Sequence, residues 1–199
     1  MSQLILDFIN SGVEPYPDSI YGDGFRCSAY LKDGTYLPCV MLRKNKPIAD
    51  LALRRFEEEK KRDGVFSAGK HHKDIVKHFV TSGNKVNDYD FKKIEISKNA
   101  IPVSLLKQIK GETTMGWTGF VFEMRDGKAF SFGTTFLMAF FDLPENYTFD
   151  DVLAVHNHSF VSRNGEIKSL KHGMMTQPSD YDQSQVYREK PFFDCFYDR

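Results

Sequence analysis

The chain has 199 residues, enough for one domain with a full hydrophobic core or at most two small domains. Basic and acidic residues number 27 each, a balance that argues against a nucleic-acid-binding face and against a polybasic membrane anchor. The N-terminus has no basic region and no apolar run is long enough to cross a bilayer. We therefore expect a cytoplasmic protein, from a bacterium or a phage.

Phenylalanine is unusually abundant, with 18 residues. Aromatic side chains suit the pleated surface of a sheet, so this composition favours an α+β fold over a helical bundle. The chain should begin with a helix over residues 2–10, in which Ser2 is the N-cap and Leu4, Ile5 and Phe8 share one side.

Three turn dipeptides between apolar runs predict three β-hairpins: Asp33-Gly34, Asp126-Gly127 and Asn164-Gly165. Interpreted as two-residue turns, they place Lys32 opposite Thr35, Val121 opposite Phe132 and Arg163 opposite Glu166. We expect one α+β domain over residues 1–199, with a short mobile segment near 176–190. Its sheet should be mostly antiparallel and should include all three hairpins.

The register of the first hairpin assigns its side chains to two faces. The core face should carry Phe25, Cys27, Ala29 and Leu31 with Tyr36, Pro38, Val40 and Leu42. The other face is mixed and should carry Arg26, Ser28, Tyr30, Leu37, Cys39, Met41 and Arg43. Because Cys27 and Cys39 fall on opposite faces, we expect all three cysteines of the chain to be free.

Two main helices should pack on this sheet, over residues 47–62 and 71–82. In the second, His71, Asp74 and His78 follow one another at helical spacings from which a metal ion can be held. The alternative is an ordinary polar helix flank.

Shorter elements complete the prediction: a strand over 91–97, a short helix over 102–110 and an interior strand over 136–141. The segment 148–161 fits either a helix or one helical turn followed by a strand from about Val152, and the second interpretation is preferred because β-branched and aromatic residues dominate.

Two histidines, His156 and His158, should project from the same face of that strand, which is a spacing suited to metal ligands. The register places His172 on the opposite face, so a third ligand would have to come from elsewhere, for example Asp142 or Asp150. The alternative is a pair of ordinary hydrogen-bonded histidines. The sequence has no nucleophile elbow, P-loop, His-Glu-x-x-His or Cys-x-x-Cys motif, and we expect no cofactor.

Three functions remain compatible with the sequence. The first is protein–protein binding without catalysis, as in an inhibitor, immunity or anti-defence protein; a monomer or homodimer would use residues typical of interface cores, together with an aromatic C-terminus. These predicted binding residues are Arg26, Tyr30, Met41, Arg43, Phe193, Phe196 and Tyr197. The second is a metal-dependent or histidine-based hydrolase that uses His156 and His158. The third is a structural subunit of an oligomer.

Overall fold

The computed structural model describes residues 1–18, 21–46, 49–51, 53–54, 84–135, 138–170 and 178–198. The chain is rich in sheet and broadly α+β. It forms two compact units: the first combines Met1–Ser97 with Phe192–Arg199, and the second is Lys98–Pro191. The expectation that the chain behaves as a single domain stays a prediction.

The first unit is built on a five-stranded sheet. Its strands are β1 (Pro15–Tyr16), β2 (Gly24–Leu31), β3 (Tyr36–Lys44), β4 (Phe91–Ile96) and β11 (Phe193–Tyr197). Strand β2 pairs with β1, β3 and β4 in antiparallel fashion, whereas β11 runs parallel to β3. A short 3-10 helix, Asp88–Asp90, precedes β4.

Helix α1 (Gln3–Gly12) covers one face of this sheet. The side chain of Ser2 accepts a hydrogen bond from the amide of Ile5, so the predicted helix and its N-cap are confirmed. The predicted buried face of the helix began one residue too early in the sequence: Leu4 is exposed, whereas Ile5, Leu6 and Ile9 are buried. The core beneath α1 contains residues from four strands: Cys27, Ala29, Leu37, Val40, Leu42, Phe91, Ile94, Cys195 and Tyr197.

The second unit contains a four-stranded sheet in the order β10 (Val186–Arg188), β6 (Ala129–Thr134), β5 (Thr118–Met124) and β7 (Val152–Asn157). Strands β8 (Ser159–Val161) and β9 (Ile167–Ser169) form a separate hairpin. The other elements are helix α2 (Val103–Leu106) and the 3-10 helices Phe149–Asp151 and Gln183–Gln185. Strand β10 runs parallel to β6, so the sheets of both units are mixed and the hairpins lie in three different sheets.

Next to the turn, the predicted register of each of the three hairpins is shifted by one residue from the observed one, and the reason is the same in all three. Each turn is a three-residue loop in which Leu31, Met124 or Ser162 donates its amide to the carbonyl four residues later. Only the glycine has positive φ, at 91° for Gly34, 84° for Gly127 and 80° for Gly165. A two-residue type I′ turn needs two such residues, so Asp and Asn with negative φ give the longer loop.

The corrected register gathers the aromatic rings of the second unit on one face. Phe120 lies opposite Phe132 and Phe122 opposite Phe130, whereas Val121 lies opposite Ser131. The rings of Phe122 and Phe132 approach to 4.8 Å between centroids. The core on this face consists of Ile101, Ile109, Phe120, Phe122, Met124, Phe132, Phe141 and Phe149.

On the opposite face of β5 and β6, the indole ring of Trp117 packs against Gly119 and Gly133. A Cβ atom at Gly133 would lie 1.9 Å from the Trp117 ring, and one at Gly119 would lie 3.2 Å from the indole nitrogen. Arg188 stacks over the same ring, with its guanidinium carbon 4.9 Å from the centroid. Glycine at position 133 is therefore required by the close approach of the indole.

Several further predictions can be compared with the structure. The strand over 91–97 is confirmed, as is the single helical turn followed by a strand from Val152. Residues 138–141 form isolated bridges at Phe140 and Phe141 instead of an interior strand. Residues 45–46, 49–51 and 53–54 are helical. The rest of the predicted helix over 47–62, and the whole of that over 71–82, lie outside the described residues.

Candidate functional site

A β-bulge in β3 positions the first candidate surface. Gly24 to Cys27 pair with Arg43 to Val40, but Ala29 then pairs with Leu37 and Tyr30 with Tyr36. Two residues of β3, Pro38 and Cys39, therefore face the single residue Ser28 of β2. Proline has no N–H for the ladder and is tolerated in a strand at such bulges. The shift moves Leu37 into the core and turns Tyr36 outward, which corrects the predicted face of both residues.

The three-residue turn and the bulge that follows it together make Tyr30 and Tyr36 direct cross-strand neighbours. Their ring centroids are 4.8 Å apart, and the two residues remain 36% and 43% exposed. Lys93 of β4 pairs with Tyr30, lies 5.9 Å from its ring centroid and forms an ion pair with Glu95. The result is an aromatic pair bordered by an exposed positive and an exposed negative side chain. We call these four residues the tyrosine surface.

The other predicted binding residues of β2 and β3 are buried. Arg26 and Arg43 are each 3% exposed, and Met41 is completely inaccessible. A guanidinium nitrogen of Arg43 lies 3.0 Å from a carboxylate oxygen of Asp18, and another donates to the carbonyl of Gly22. These three side chains therefore contribute almost no surface in the folded protein.

Arg26 has a different environment on the same face. Its guanidinium carbon lies 4.9 Å from the centroid of the Tyr16 ring. Burial lowers the pKa of Arg26 to about 10, because removing a cation from water penalises its charged form. Burial also raises the pKa of Tyr16, whose side chain lies in the same water-poor region. The arrangement holds a desolvated cation against an aromatic ring.

The aromatic C-terminus, predicted to bind a partner, forms strand β11 beside β3. Tyr197 is 3% exposed and belongs to the core under α1. Phe196 is half-buried, with the Lys85 ammonium 5.2 Å from its ring centroid. Phe193 is 38% exposed, and its partner in the ladder, Val40, has its side chain on the core face. Phe193 is therefore on the opposite face of the sheet from Tyr30.

The two histidines of the second candidate site have separate partners. His156 lies opposite Val121 at the end of β7, and its Nε2 is 2.7 Å from a carboxylate oxygen of Glu123. His158 follows the strand with φ of 50°, and its Nδ1 is 2.9 Å from the hydroxyl of Thr113. Both side chains are half-buried. The predicted alternation fails at His158 because the chain turns there toward β8.

Metal coordination finds little support in this arrangement. Among the residues with a described structure, no group of three or more His, Cys, Asp or Glu side chains is arranged to hold a metal ion. Asp142, a suggested third ligand, accepts hydrogen bonds from Asn99 and Lys190. The other metal candidates, His71, Asp74 and His78, lie outside the described part of the chain. A metal-binding role for His156 and His158 stays a prediction.

Sequence reasoning found Tyr30 but not its partner. Tyr36 was assigned to the core because the hairpin was treated as regular from the turn to Arg43. The signal that could have corrected this was Pro38, a residue that a paired strand does not tolerate away from an edge or a bulge.

Comparison with known proteins adds no relative. No family model matches the sequence, and neither curated proteins nor solved structures show significant similarity to it. Among the described residues, no helix has the length and apolar character needed to cross a membrane.

Proposed function

We propose that this chain acts in the cytoplasm by binding a partner protein, as an inhibitor of the immunity or anti-defence type, through the tyrosine surface. The observation that carries the proposal is the pairing of Tyr30 and Tyr36. Their rings are in contact, yet both stay more than one-third exposed. Such a pair presents a rigid apolar patch with two hydroxyl groups, which is the chemistry most frequent at energetic centres of protein interfaces.

The bulge in β3 strengthens this argument. A bulge removes regular pairing from the ladder, and bulges frequently serve to redirect a side chain. Here the redirection places Tyr36 beside Tyr30 on the surface. Lys93 and Glu95 border the rings with charges of both signs, as expected of a polar rim around an apolar centre.

Site-specific crosslinking tests the proposal. A photoreactive phenylalanine analogue is placed at position 36, or at position 4 as the control, and the protein is irradiated in cells of the source organism. Leu4 is 82% exposed on α1, which packs on the opposite face of the sheet. We expect one discrete crosslinked protein from position 36 that is absent from position 4 and absent when Tyr30 is replaced by Thr. Identical products from both positions would contradict the proposal.

Histidine-based hydrolysis is the second candidate, and the contact between His156 and Glu123 favours it. A carboxylate 2.7 Å from an imidazole nitrogen orients the ring, as in catalytic histidines. Ester and phosphoester substrates can be screened with the wild-type protein and with His156→Gln. Activity that His156→Gln abolishes, with an unchanged melting temperature, would support hydrolysis over binding alone.

A further inference from the structure

The sheet edges of the two units differ in how they are protected from other strands. Strand β4 carries Lys92, Lys93 and Glu95. On the outer edge of β11, Asp194 is hydrogen-bonded to the backbone of Asn84 and Val86. Directly after β10, Glu189 and Lys190 are bonded to the backbone of Phe141 and Phe140. Strand β1 is only two residues long and begins with Pro15. Charges, coverage, proline and short length are the usual means by which proteins protect an edge.

From Leu153 to His156, strand β7 has none of these protections: its bulge lies at the beginning, and only the side chain of its last residue, Asn157, is bonded to the backbone of Gln108 and Lys110. Its sequence, Val-Leu-Ala-Val-His-Asn, contains no Lys, Arg, Asp, Glu or Pro. It is the last strand of its sheet, and no described residue pairs with its outer side. Leu153, the extra residue of the bulge, is 63% exposed. An apolar edge of this kind is a template for another strand.

The direction of the backbone groups of β7 follows from the neighbouring hairpin. Met124 donates its amide to Lys128 and accepts from Gly127, so its polar groups face β6. Successive residues of an antiparallel strand point these groups to alternate sides, so Val121 and Glu123 face β7. Their partners there are His156 and Ala154. The N–H and C=O of Val155 therefore point away from the sheet.

We propose that β7 pairs antiparallel with β7 of a second copy of this chain, about a twofold axis through Val155. Each Val155 donates its amide to the carbonyl of the other, and the two sheets join into one of eight strands. The proposal is independent of the tyrosine surface, which lies in the other unit.

The side chains of β7 are complementary to themselves in this register. Ala154 of one copy lies opposite His156 of the other in a non-hydrogen-bonded pair, where side chains approach most closely. A methyl group beside an imidazole avoids a clash, and the contact with Glu123 holds that imidazole over its own sheet. On the other face the two Val155 side chains meet as a β-branched cross-strand pair. No like charges oppose one another, because the strand has no charged residue.

Sedimentation equilibrium tests the dimer with two variants and one control. Leu153→Lys places a charge on the edge without touching the core, and Val155→Pro removes the outward donor but keeps the inward bonds of Ala154 and His156. Leu4→Lys makes the same exchange at an exposed leucine of α1. The interface is small, so concentrations up to about 500 µM are needed.

We expect the wild type and Leu4→Lys to dimerise equally, and both edge variants to weaken dimerisation at least about 10-fold. The amide of Val155 should exchange slowly with solvent in concentrated wild type and quickly in Leu153→Lys. A wild type that stays monomeric at every concentration would overturn the proposal. So would a dimer that Leu153→Lys leaves unchanged, or one that depends on Tyr30 and Tyr36 instead.

Discussion

At the scale of single residues, the three cysteines are placed for packing. Cys27 and Cys195 are fully buried, and Cys39 is 2% exposed. Burial raises the pKa of Cys27 and of Cys195 to about 12, because a thiolate is poorly solvated inside the core. Small, uncharged thiols of this kind behave as apolar side chains.

We therefore expect the folded protein to resist thiol reagents. At pH 8 a thiol with a pKa near 12 is ionised in only about one molecule in 10,000, so modification of Cys27 and Cys195 should require unfolding. A thiol titration should find three reactive groups in denaturant without reductant and none that reacts quickly in native buffer. A native thiol at Cys27 or Cys195 that reacts within seconds would show that the core is open.

We expect the two buried arginines to differ in how much stability is lost when the charge is removed. In Arg43→Met the carboxylate of Asp18, itself only 8% exposed, loses the guanidinium and keeps the hydrogen bond from the Tyr21 amide. Breaking a buried pair in this way typically costs about 3–5 kcal/mol. In Arg26→Met the contact with the Tyr16 ring is lost, but the cost of burying the cation is relieved at the same time, so the free energy of unfolding should stay within about 1 kcal/mol of the wild type.

Urea denaturation of both variants measures this difference. Equal and small effects would mean that the contact between Arg43 and Asp18 adds little. Equal and large effects would mean that the contacts of Arg26, including the one with the Tyr16 ring, stabilise the fold as much as the ion pair of Arg43 does.

At the scale of elements, the sequence predicted which segments pair and the register of Gly24–Cys27 with Val40–Arg43, but not the register next to the three turns. The Asp-Gly and Asn-Gly dipeptides located three turns, and Ser2 marked the start of the first helix. The loop length was wrong because both two- and three-residue hairpin loops accept Asp-Gly, and the difference depends on φ of the first residue. A shift of one residue moves the side chains of one strand to the other face of the sheet. For this reason the sequence did not predict that Phe130 and Phe132 share a face with Phe120 and Phe122, or that Tyr36 faces outward.

Long-range features were beyond the sequence for a different reason. The parallel pairing of β11 with β3 joins segments separated by most of the chain, and no local pattern encodes it. The same holds for the burial of Arg26 and Arg43, since their residue types favour a surface and only their contacts explain the interior position.

The contact between β6 and Trp117 gives a prediction at this scale. Gly133→Ala should destabilise the protein by about 1–3 kcal/mol, because the added methyl group overlaps the indole ring and forces it to move. Gly111→Ala is the matched control, since a methyl group added there would meet no atom of the described residues within 4 Å. Thermal unfolding and Trp fluorescence follow both variants. A melting temperature of Gly133→Ala equal to that of Gly111→Ala would contradict the packing described for Trp117.

At the scale of the whole molecule, the net charge is zero, so no excess of one sign attracts an acidic or a basic partner from a distance. In the proposed interface, local shape and desolvation at Tyr30 and Tyr36 would supply the recognition. An interface of this type is sensitive to the loss of aromatic area and nearly insensitive to salt.

The measurement that tests this account most directly compares the crosslinked partner's affinity for the wild type and for the double variant Tyr30→Thr/Tyr36→Thr, with melting temperatures recorded beside it. Threonine keeps the preference for a strand while it removes both rings. We predict a loss of at least about 2 kcal/mol of binding free energy, roughly 30-fold in Kd, with little change in melting temperature. An unchanged Kd, or a loss of binding that accompanies a large fall in melting temperature, would contradict the proposal that Tyr30 and Tyr36 form the binding interface.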